Sequence, residues 1–378
     1  MKHPGKFLPI AFLLILGVFT FASFVLPDRE FSQRENRNLA SPPDFSWQSF
    51  QSGRFTEDFD EYLADQFPLR DAFMDVKISS DHLLQKKENE GIYFGKDDYL
   101  LARYSSPGPT LQTNLEHIKA FAKSHKDFQV FVMPVPTSTA IYPEMLPAFA
   151  LNADQGETIQ QIQNALHGSA TVVSLLQPLE AQKDKYLYFR LDHHWTQQGA
   201  YVAYEQLGQF LGYTPHSEEY FTPTLLTDQF RGSYYAKSGT QLLTPDSIFW
   251  LQPTRSYHSW VEFTDDNTSL SGLLSPTWLE KGDPYSVFLD GNHASMVIHT
   301  DLPANADCGK LLVVKDSYAH TLLPLLANHY GEIHVLDLRY FRQDVSSYMD
   351  LHGIQQLFIV AGLQNLDTDL GLYYLSPS

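Results

Sequence analysis

The sequence predicts an α/β fold: a mostly parallel sheet covered by helices on both faces, three layers in all. Two observations carry this. Short runs dominated by apolar residues recur at Phe128–Met133 (FQVFVM), Lys310–Lys315 (KLLVVK) and Ile354–Ala361, as expected of strands buried on both faces. The segments between them carry apolar residues at helical spacing, so strands and helices alternate as they do in βαβ units. Composition agrees. A chain of 378 residues with 43% hydrophobic and 19% charged residues can bury a large core, and it is neither disordered nor polytopic.

The elements follow in order. Lys2 and Lys6 precede an uncharged apolar run from Phe7 to Leu26, 26 − 7 + 1 = 20 residues. About 20 helical residues cross a bilayer. Asp28, Arg29 and Glu30 end the run. Positive charge resists translocation, so residues 1–6 are expected to be a cytoplasmic tail, residues 7–26 a retained single-pass anchor in the cell membrane, and everything after it extracytoplasmic. The alternative is a signal peptide cleaved after Thr20-Phe21-Ala22. Residues 27–88 read as a polar stalk with Pro42-Pro43, then helices on which Phe55, Phe59, Tyr62 and Leu63 share a face, continued by Phe73, Val76 and Ile78 beyond Pro68.

Residues 89–378 read as the main domain. Gly91–Leu100 is expected to form a hairpin, Leu111–Ser124 and Thr158–Leu166 helices, and Thr171–Leu176 a strand. Tyr186–Leu191 reads as extended. Thr196 is a good N-cap for a helix whose stripe is Ala200, Ala203, Tyr204, Leu207, Phe210 and Leu211. Between about 213 and 305 the chain is rich in Thr, Ser, Tyr, Pro and Gly, and it reads as a β-rich insertion. A strand at 310–315, a helix at Tyr318–Asn328, a strand at Glu332–Leu338 and a last strand from Ile354 complete the pattern.

Charge and cysteine use narrow the chemistry. Net charge is 26 − 44 = −18. Such a surface repels phosphate backbones, so nucleic acid is not an expected partner. Cys308 stands alone, which excludes an intramolecular disulfide and a CxxC site. His293, His299, His320, His329 and His334 are scattered at no metal-ligand spacing, and neither a metal nor a cofactor is expected.

Two stretches carry functional chemistry. In Leu191-Asp192-His193-His194-Trp195, an extended segment runs toward a helix N-cap. Side chains alternate in extended backbone, so Asp192 and His194 share a face and His193 points away. A carboxylate so placed holds an imidazole in one tautomer and stabilises its cation. A capping Asp beside two incidental histidines is the plainer alternative. In Val313-Val314-Lys315-Asp316-Ser317-Tyr318, an apolar strand runs into a turn and a helix. A serine there projects from the carboxyl edge of the sheet, with its own N–H at a helix N-terminus where an oxyanion is favoured. A simple helix cap is again the alternative. Together the stretches supply a nucleophile, a base and its orienter.

These residues, with Tyr142–Pro147 (YPEMLP), Phe31–Leu39 (FSQRENRNL), Asp65–Asp71 (DQFPLRD), Gly91–Leu100, Gly291-Asn292-His293 and Lys315–Tyr318, resemble the bacterial DHHW protein family, which is related to the SGNH hydrolase-like O-acetyltransferases of alginate and other exopolysaccharides. The blocks span nearly the whole chain beyond the anchor. The resemblance implies an SGNH-like sandwich with Ser317 as nucleophile, His194 as base and Asp192 as its partner. The Asp-His pair precedes the serine by 317 − 194 = 123 residues, the circularly permuted order of the alginate-type relatives. It further implies Gly291 and Asn292 as oxyanion donors, although a β-turn explains the same two residues. Lys315 departs from the small residue usual before the Asp-Ser pair. Asp-His-His also occurs in manganese-dependent DHH phosphoesterases, but their further Asp motifs are not seen. The implied function is acetyl transfer to a cell-envelope or secreted polysaccharide, with a membrane-bound acyltransferase delivering the acetyl group. An acetyl esterase, and a non-catalytic cell-surface or carbohydrate-binding protein, stay open; convergence of the three residues separates the last of these from the rest.

Overall fold

The computed structural model describes residues 7–32, 37–84, 86–240, 243–255, 257–303 and 307–375. The expected tail at residues 1–6, with Lys2 and Lys6, lies outside the described residues. The chain forms two compact units, one of residues 1–86 with 239–241, the other of residues 87–238 with 242–378.

The N-terminal unit is helical. Helix α1 (Phe7–Val25) has 19 residues, no charge and no buried side chain. At 1.5 Å per residue it is about 28 Å long, close to a bilayer's hydrocarbon core. It is a candidate span by length and composition. Helices α2 (Trp47–Gln51), α3 (Arg54–Asp65) and α4 (Arg70–Leu83) follow. Ser46 caps α2 with a reciprocal Ser46–Ser49 box. Pro68, then Leu69 in a left-handed conformation (φ 60°), separate α3 from α4.

The larger unit holds a small three-stranded sheet, β1 (Glu88–Asn89), β2 (Ile92–Phe94) and β3 (Leu100–Ala102), where the hairpin was expected. Its centre is an eight-stranded sheet. In chain order the elements are α5 (Pro109–Ser124), β4 (Gln129–Val135), α6 (Gln155–Leu166), β5 (Thr171–Val172) and α7 (Gln197–Leu211). Then come β6 (Phe221–Phe230), β7 (Asp246–Pro253), β8 (Ser259–Phe263), β9 (Thr268–Ser271) and β10 (Ser295–Thr300). Last are β11 (Lys310–Lys315), α8 (Ala319–Leu326), β12 (Glu332–Leu336), α9 (Val345–His352), β13 (Gln356–Gly362) and α10 (Leu363–Thr368). The sheet order is β9-β8-β10-β12-β11-β13-β4-β5.

The last five strands of that order run parallel, and β10, β8 and β9 extend the sheet antiparallel from β12. The sheet is therefore mixed rather than mostly parallel. The physical reason lies in the region read as an insertion. Among the described residues there, only β6 and β7 form a separate ribbon; residues 259–300 fold back as a meander, and Ser295 pairs with Leu336 on the edge of β12. Strand side chains feed two cores. Leu311 and Val313 pack with α7 and α8 on one face, and Leu312 and Val314 with α5, α6 and α9 on the other. Thr196 accepts the N–H of Gly199 to cap α7, and Gly212 (φ 85°) ends it in the left-handed conformation. Because β4, β11 and β13 are parallel, their carboxyl ends share one edge of the sheet, where ligands bind in open α/β folds.

Candidate active site

Strand β11 ends at Lys315 and α8 starts at Ala319, so Asp316-Ser317-Tyr318 form the turn at that edge. Asp316 anchors it. Its N–H donates to Val360 at 3.2 Å, and its carboxylate accepts from the N–H groups of Tyr318 (3.0 Å) and Gly362 (2.7 Å) and from Asn365 Nδ2 (2.6 Å). Ser317 is left facing outward, and its own N–H has no acceptor among the described residues.

The Asp192–Trp195 segment arrives differently from the expectation. Tyr186–Leu191 does not continue extended. An antiparallel bridge joins Tyr188 to Trp195, the Phe189 N–H donates to His194 O at 3.2 Å, and the Thr196 N–H to Leu187 O at 2.9 Å. The chain thus reverses through residues 190–193. Asp192 Oδ1 accepts the His194 N–H at 2.9 Å, an Asx-type turn that brings carboxylate and imidazole together. The two groups do share a face, but a turn rather than strand pleating puts them there. Asp246 braces the approach, accepting from the Leu191 N–H (2.8 Å), Tyr186 Oη (2.6 Å) and Arg190 Nε (3.0 Å).

The two stretches meet. His194 Nδ1 lies 2.5 Å from Asp192 Oδ1, and its Nε2 2.7 Å from Ser317 Oγ. The carboxylate only accepts, so Nδ1 carries the proton and Nε2 accepts from the serine hydroxyl. Asp192 Oδ2 accepts the Ser233 N–H at 2.6 Å. His193 points to Ser233 Oγ (2.6 Å), not to Ser317. Reciprocal bonds clamp the stretches together: Trp195 Nε1 donates to Tyr318 O at 2.9 Å, and Tyr318 Oη to His193 O at 2.6 Å.

The His194 ring is sandwiched. His193 lies 3.7 Å away at 38° on one side, and Tyr285 stacks at 3.8 Å and 8° on the other. Tyr285 Oη also donates to Ser317 O at 3.1 Å, so one side chain orders both the His194 ring and the Ser317 backbone. Nothing in the sequence marks Tyr285: it lies 32 residues before Ser317, within the supposed insertion. Ser233 was equally unmarked.

Electrostatics favour a neutral base. Burial would raise the Asp192 pKa, but His193 and His194 outweigh it and hold the carboxyl well below its usual range. His194 is pushed down to about 4, first by burial and then by His193, against the pull of Asp192. For His193, burial works downward, yet Asp192 wins and raises it. With its pKa near 4, His194 is unprotonated at neutral pH, and its Nε2 can accept from a hydroxyl.

The remaining residues expected in the site make other contacts. Leu289, Asp290 and Gly291 have successive positive φ values of 58°, 62° and 82°. The Gly291 N–H donates to Phe288 O at 3.3 Å, so it closes the turn rather than standing free as an oxyanion donor. Asn292 Oδ1 accepts from Lys315 Nζ (3.3 Å) and Arg339 Nη2 (3.4 Å), which leaves its Nδ2 as the donor. Lys315, the departure from the family pattern, is fully buried. It lies 3.3 Å from Asp337 and donates to His320 Nε2 at 2.9 Å, while Arg339 grips Asp337 at 2.6 and 2.8 Å. Burial lowers the Lys315 pKa against the pull of Asp337. Asp192, His193 and His194 also offer one metal-ligand atom each within 4.8 Å of one another, as do Asp265, Asp266 and His293. In the first set, both Asp192 oxygens and both His194 ring nitrogens already serve the hydrogen bonds above.

Ser, His and Asp aligned at the carboxyl edge of an α/β sheet is the arrangement that acyl transfer through a serine requires. The family model described as "DHHW protein" matches residues 118–336, more than half of the chain, and the chain belongs to that family. It is 24% identical over 258 residues to a probable alginate O-acetylase AlgJ of Pseudomonas syringae pv. tomato, covering 64% of this chain and 60% of that protein. A second AlgJ, of Pseudomonas fluorescens, is 24% identical over 168 residues, 42% of this chain and 43% of that one. The chain thus spans under two thirds of the length of either relative. Among solved structures, a DHHW family protein of Eubacterium siraeum superposes with a TM-score of 0.66 at 23% identity, covering 77% of this chain and 97% of that one. Bacillus cereus PatB1, solved with a sulfonyl adduct, gives 0.62 at 18% identity, covering 74% and 96%. These two likenesses show the shared fold.

Proposed function

We propose that this protein is a membrane-anchored, extracytoplasmic O-acetyltransferase that modifies a cell-envelope or secreted polysaccharide, on an SGNH-like domain with circularly permuted triad order. The observation that carries the reading is the continuous Asp192–His194–Ser317 relay, with contacts of 2.5 and 2.7 Å. Ser317 Oγ attacks the acetyl carbonyl while His194 Nε2 takes its proton. The proton then passes to the departing group, leaving acetyl-Ser317. A sugar hydroxyl next attacks that ester and gives its proton to His194, which returns it to Ser317 Oγ as the acetylated sugar leaves. Asp192 holds the tautomer and stabilises the imidazolium formed in each half. The Ser317 N–H and Asn292 Nδ2 are the donors available to the oxyanion. The AlgJ names support a polysaccharide acceptor. A membrane-bound acyltransferase as the source of the acetyl group is part of the same proposal.

A sulfonyl fluoride tests the centre, since it traps an activated serine. The purified full-length chain should gain one sulfonyl group on Ser317, read by peptide mass, and lose turnover of an activated acetyl ester. A chain that stays unlabelled and inert while folded would make Ser317 a helix cap and the protein a binding module. Transfer of acetyl to an added oligosaccharide, against release of acetate, separates transferase from esterase.

A further inference from the structure

Within the N-terminal unit, residues 45–84 carry a dense run of exposed large apolar side chains. Phe45, Trp47, Phe50, Phe59, Phe67 and Phe73 all face solvent, Trp47 with 72% of its surface. They form a connected set. Phe45 meets Trp47 and Phe55 edge-on at 5.6 and 5.3 Å, Phe55 stacks on Phe59 at 5.9 Å, and Phe59 lies 6.2 Å from Tyr62. That chain of rings ends at the exit of α1, where Tyr62 Oη donates to the Asp28 carboxylate at 3.2 Å. At the start of α4, Phe67 stacks on Phe19 of α1 at 5.2 Å, and Phe73 lies 5.7 Å from the same ring.

The contacts are layered. Polar groups meet just past the end of α1: Arg29 Nη1 lies 2.7 Å from Asp71, and the Arg29 N–H donates to Gln66 Oε1 at 3.0 Å. Phe19 stands seven residues before Leu26, about 10 Å inside the apolar run at 1.5 Å per residue. Ions at the boundary with rings a turn or two below are the arrangement of a bilayer interface. A patch of this size seldom stays open to water.

We propose that residues 45–84 form a collar lying in the membrane interface on the exit side of α1, with the rings of α2 to α4 inserted among zwitterionic phospholipids. The proposal rests on α1 being a retained anchor, because Phe19 sets the depth of Phe67 and Phe73. Residues 41–84 carry nine acidic residues and three basic ones, so insertion is apolar rather than electrostatic, which is why the occupant is a zwitterionic lipid.

The test uses the full-length chain in phosphatidylcholine vesicles whose acyl chains are brominated. Trp47 emission is taken as the difference between the parent and Trp47→Phe, which keeps an aromatic ring in place. It should fall by about half or more relative to unbrominated vesicles, as expected for an indole at the acyl boundary. Alkaline extraction and N-terminal sequencing of the same sample report on the anchor separately. Unquenched Trp47 in a chain that resists extraction would overturn the collar while the anchor stands, and would assign the face to a protein partner. A chain recovered from Ser23 onward would overturn the anchor and the collar with it.

Discussion

At the scale of single residues, the site is a set of constraints on one imidazole. In the proposed mechanism Ser317 is a weak nucleophile until His194 takes its proton, so Ser317→Ala and His194→Ala should each lower acetyl-ester turnover by roughly 10⁴-fold, with the double variant little worse. Burst kinetics on the purified chain measure this; additive losses would mean the two do not act as a unit. Tyr285 divides its work between ring and hydroxyl. Tyr285→Phe keeps the stack and loses the bond to Ser317 O, whereas Tyr285→Ala also frees the His194 ring. The phenylalanine variant should lose about tenfold in kcat and the alanine variant about 10²-fold, the scale of a misplaced catalytic group. Equal losses would reduce Tyr285 to its hydroxyl bond. The pH profile follows from the low His194 pKa. A general base acts unprotonated, and His194 is held near 4, so under the proposed mechanism kcat/KM should persist below the ordinary imidazole range and fall only as pH drops toward 4. His193→Gln removes the neighbouring titratable ring that helps lower His194, so the acid limb should move upward while the rate at neutral pH changes less than about tenfold. An acid limb near 6.5 in both proteins would show that His193 does not set it.

At the scale of elements, the site depends on segments far apart in sequence arriving at one edge. The end of β6 delivers Gly232 and Ser233 to the back of Asp192. A Cβ on Gly232 would overlap the Asp192 carboxylate, and the Ser233 N–H holds its Oδ2. Gly232→Ala should therefore displace Asp192 and cost about 10²-fold in kcat. Activity assays beside thermal melting check this, and an unaffected rate would show that the segment yields without moving the carboxylate. This element also shows where sequence reading stops. The buried strands Lys310–Lys315 and Gln356–Gly362 were legible because burial on both faces writes itself as an apolar run. Ser317 was conspicuous because it sits at the turn after such a run, whereas Asp192 and His194 were expected to share a face through strand pleating and are brought together by a turn instead. Residues 213–305 were not, because short antiparallel strands read alike whether they build a separate ribbon, as β6 and β7 do, or extend the main sheet, as β8 to β10 do; pairing with β12 is a long-range choice. Tyr285 and Ser233 were lost with that region. Gly291 carried a signal for its turn, and its positive φ is what a glycine there supplies.

At the scale of the whole molecule, charge bears on which polysaccharide the proposed transferase would accept. The chain carries a net −18, and the cations beside the site are tied to an acid: Lys315 and Arg339 both pair with Asp337. A polyuronate acceptor must approach this acidic surface against its field, while an uncharged glycan meets no such barrier. Salt screens the repulsion over a Debye length of about 10 Å at 0.1 M. Transfer to a polyuronate should therefore speed up, with kcat/KM rising several-fold between about 0.02 and 0.2 M salt, and transfer to a neutral glycan should stay flat. Measuring both acceptors against one activated acetyl donor keeps formation of acetyl-Ser317 common to the two, so any difference belongs to the second half of the reaction. A polyuronate rate that falls with salt would mean that Arg339, 30% exposed, acts locally as a docking charge and outweighs the field of the whole chain.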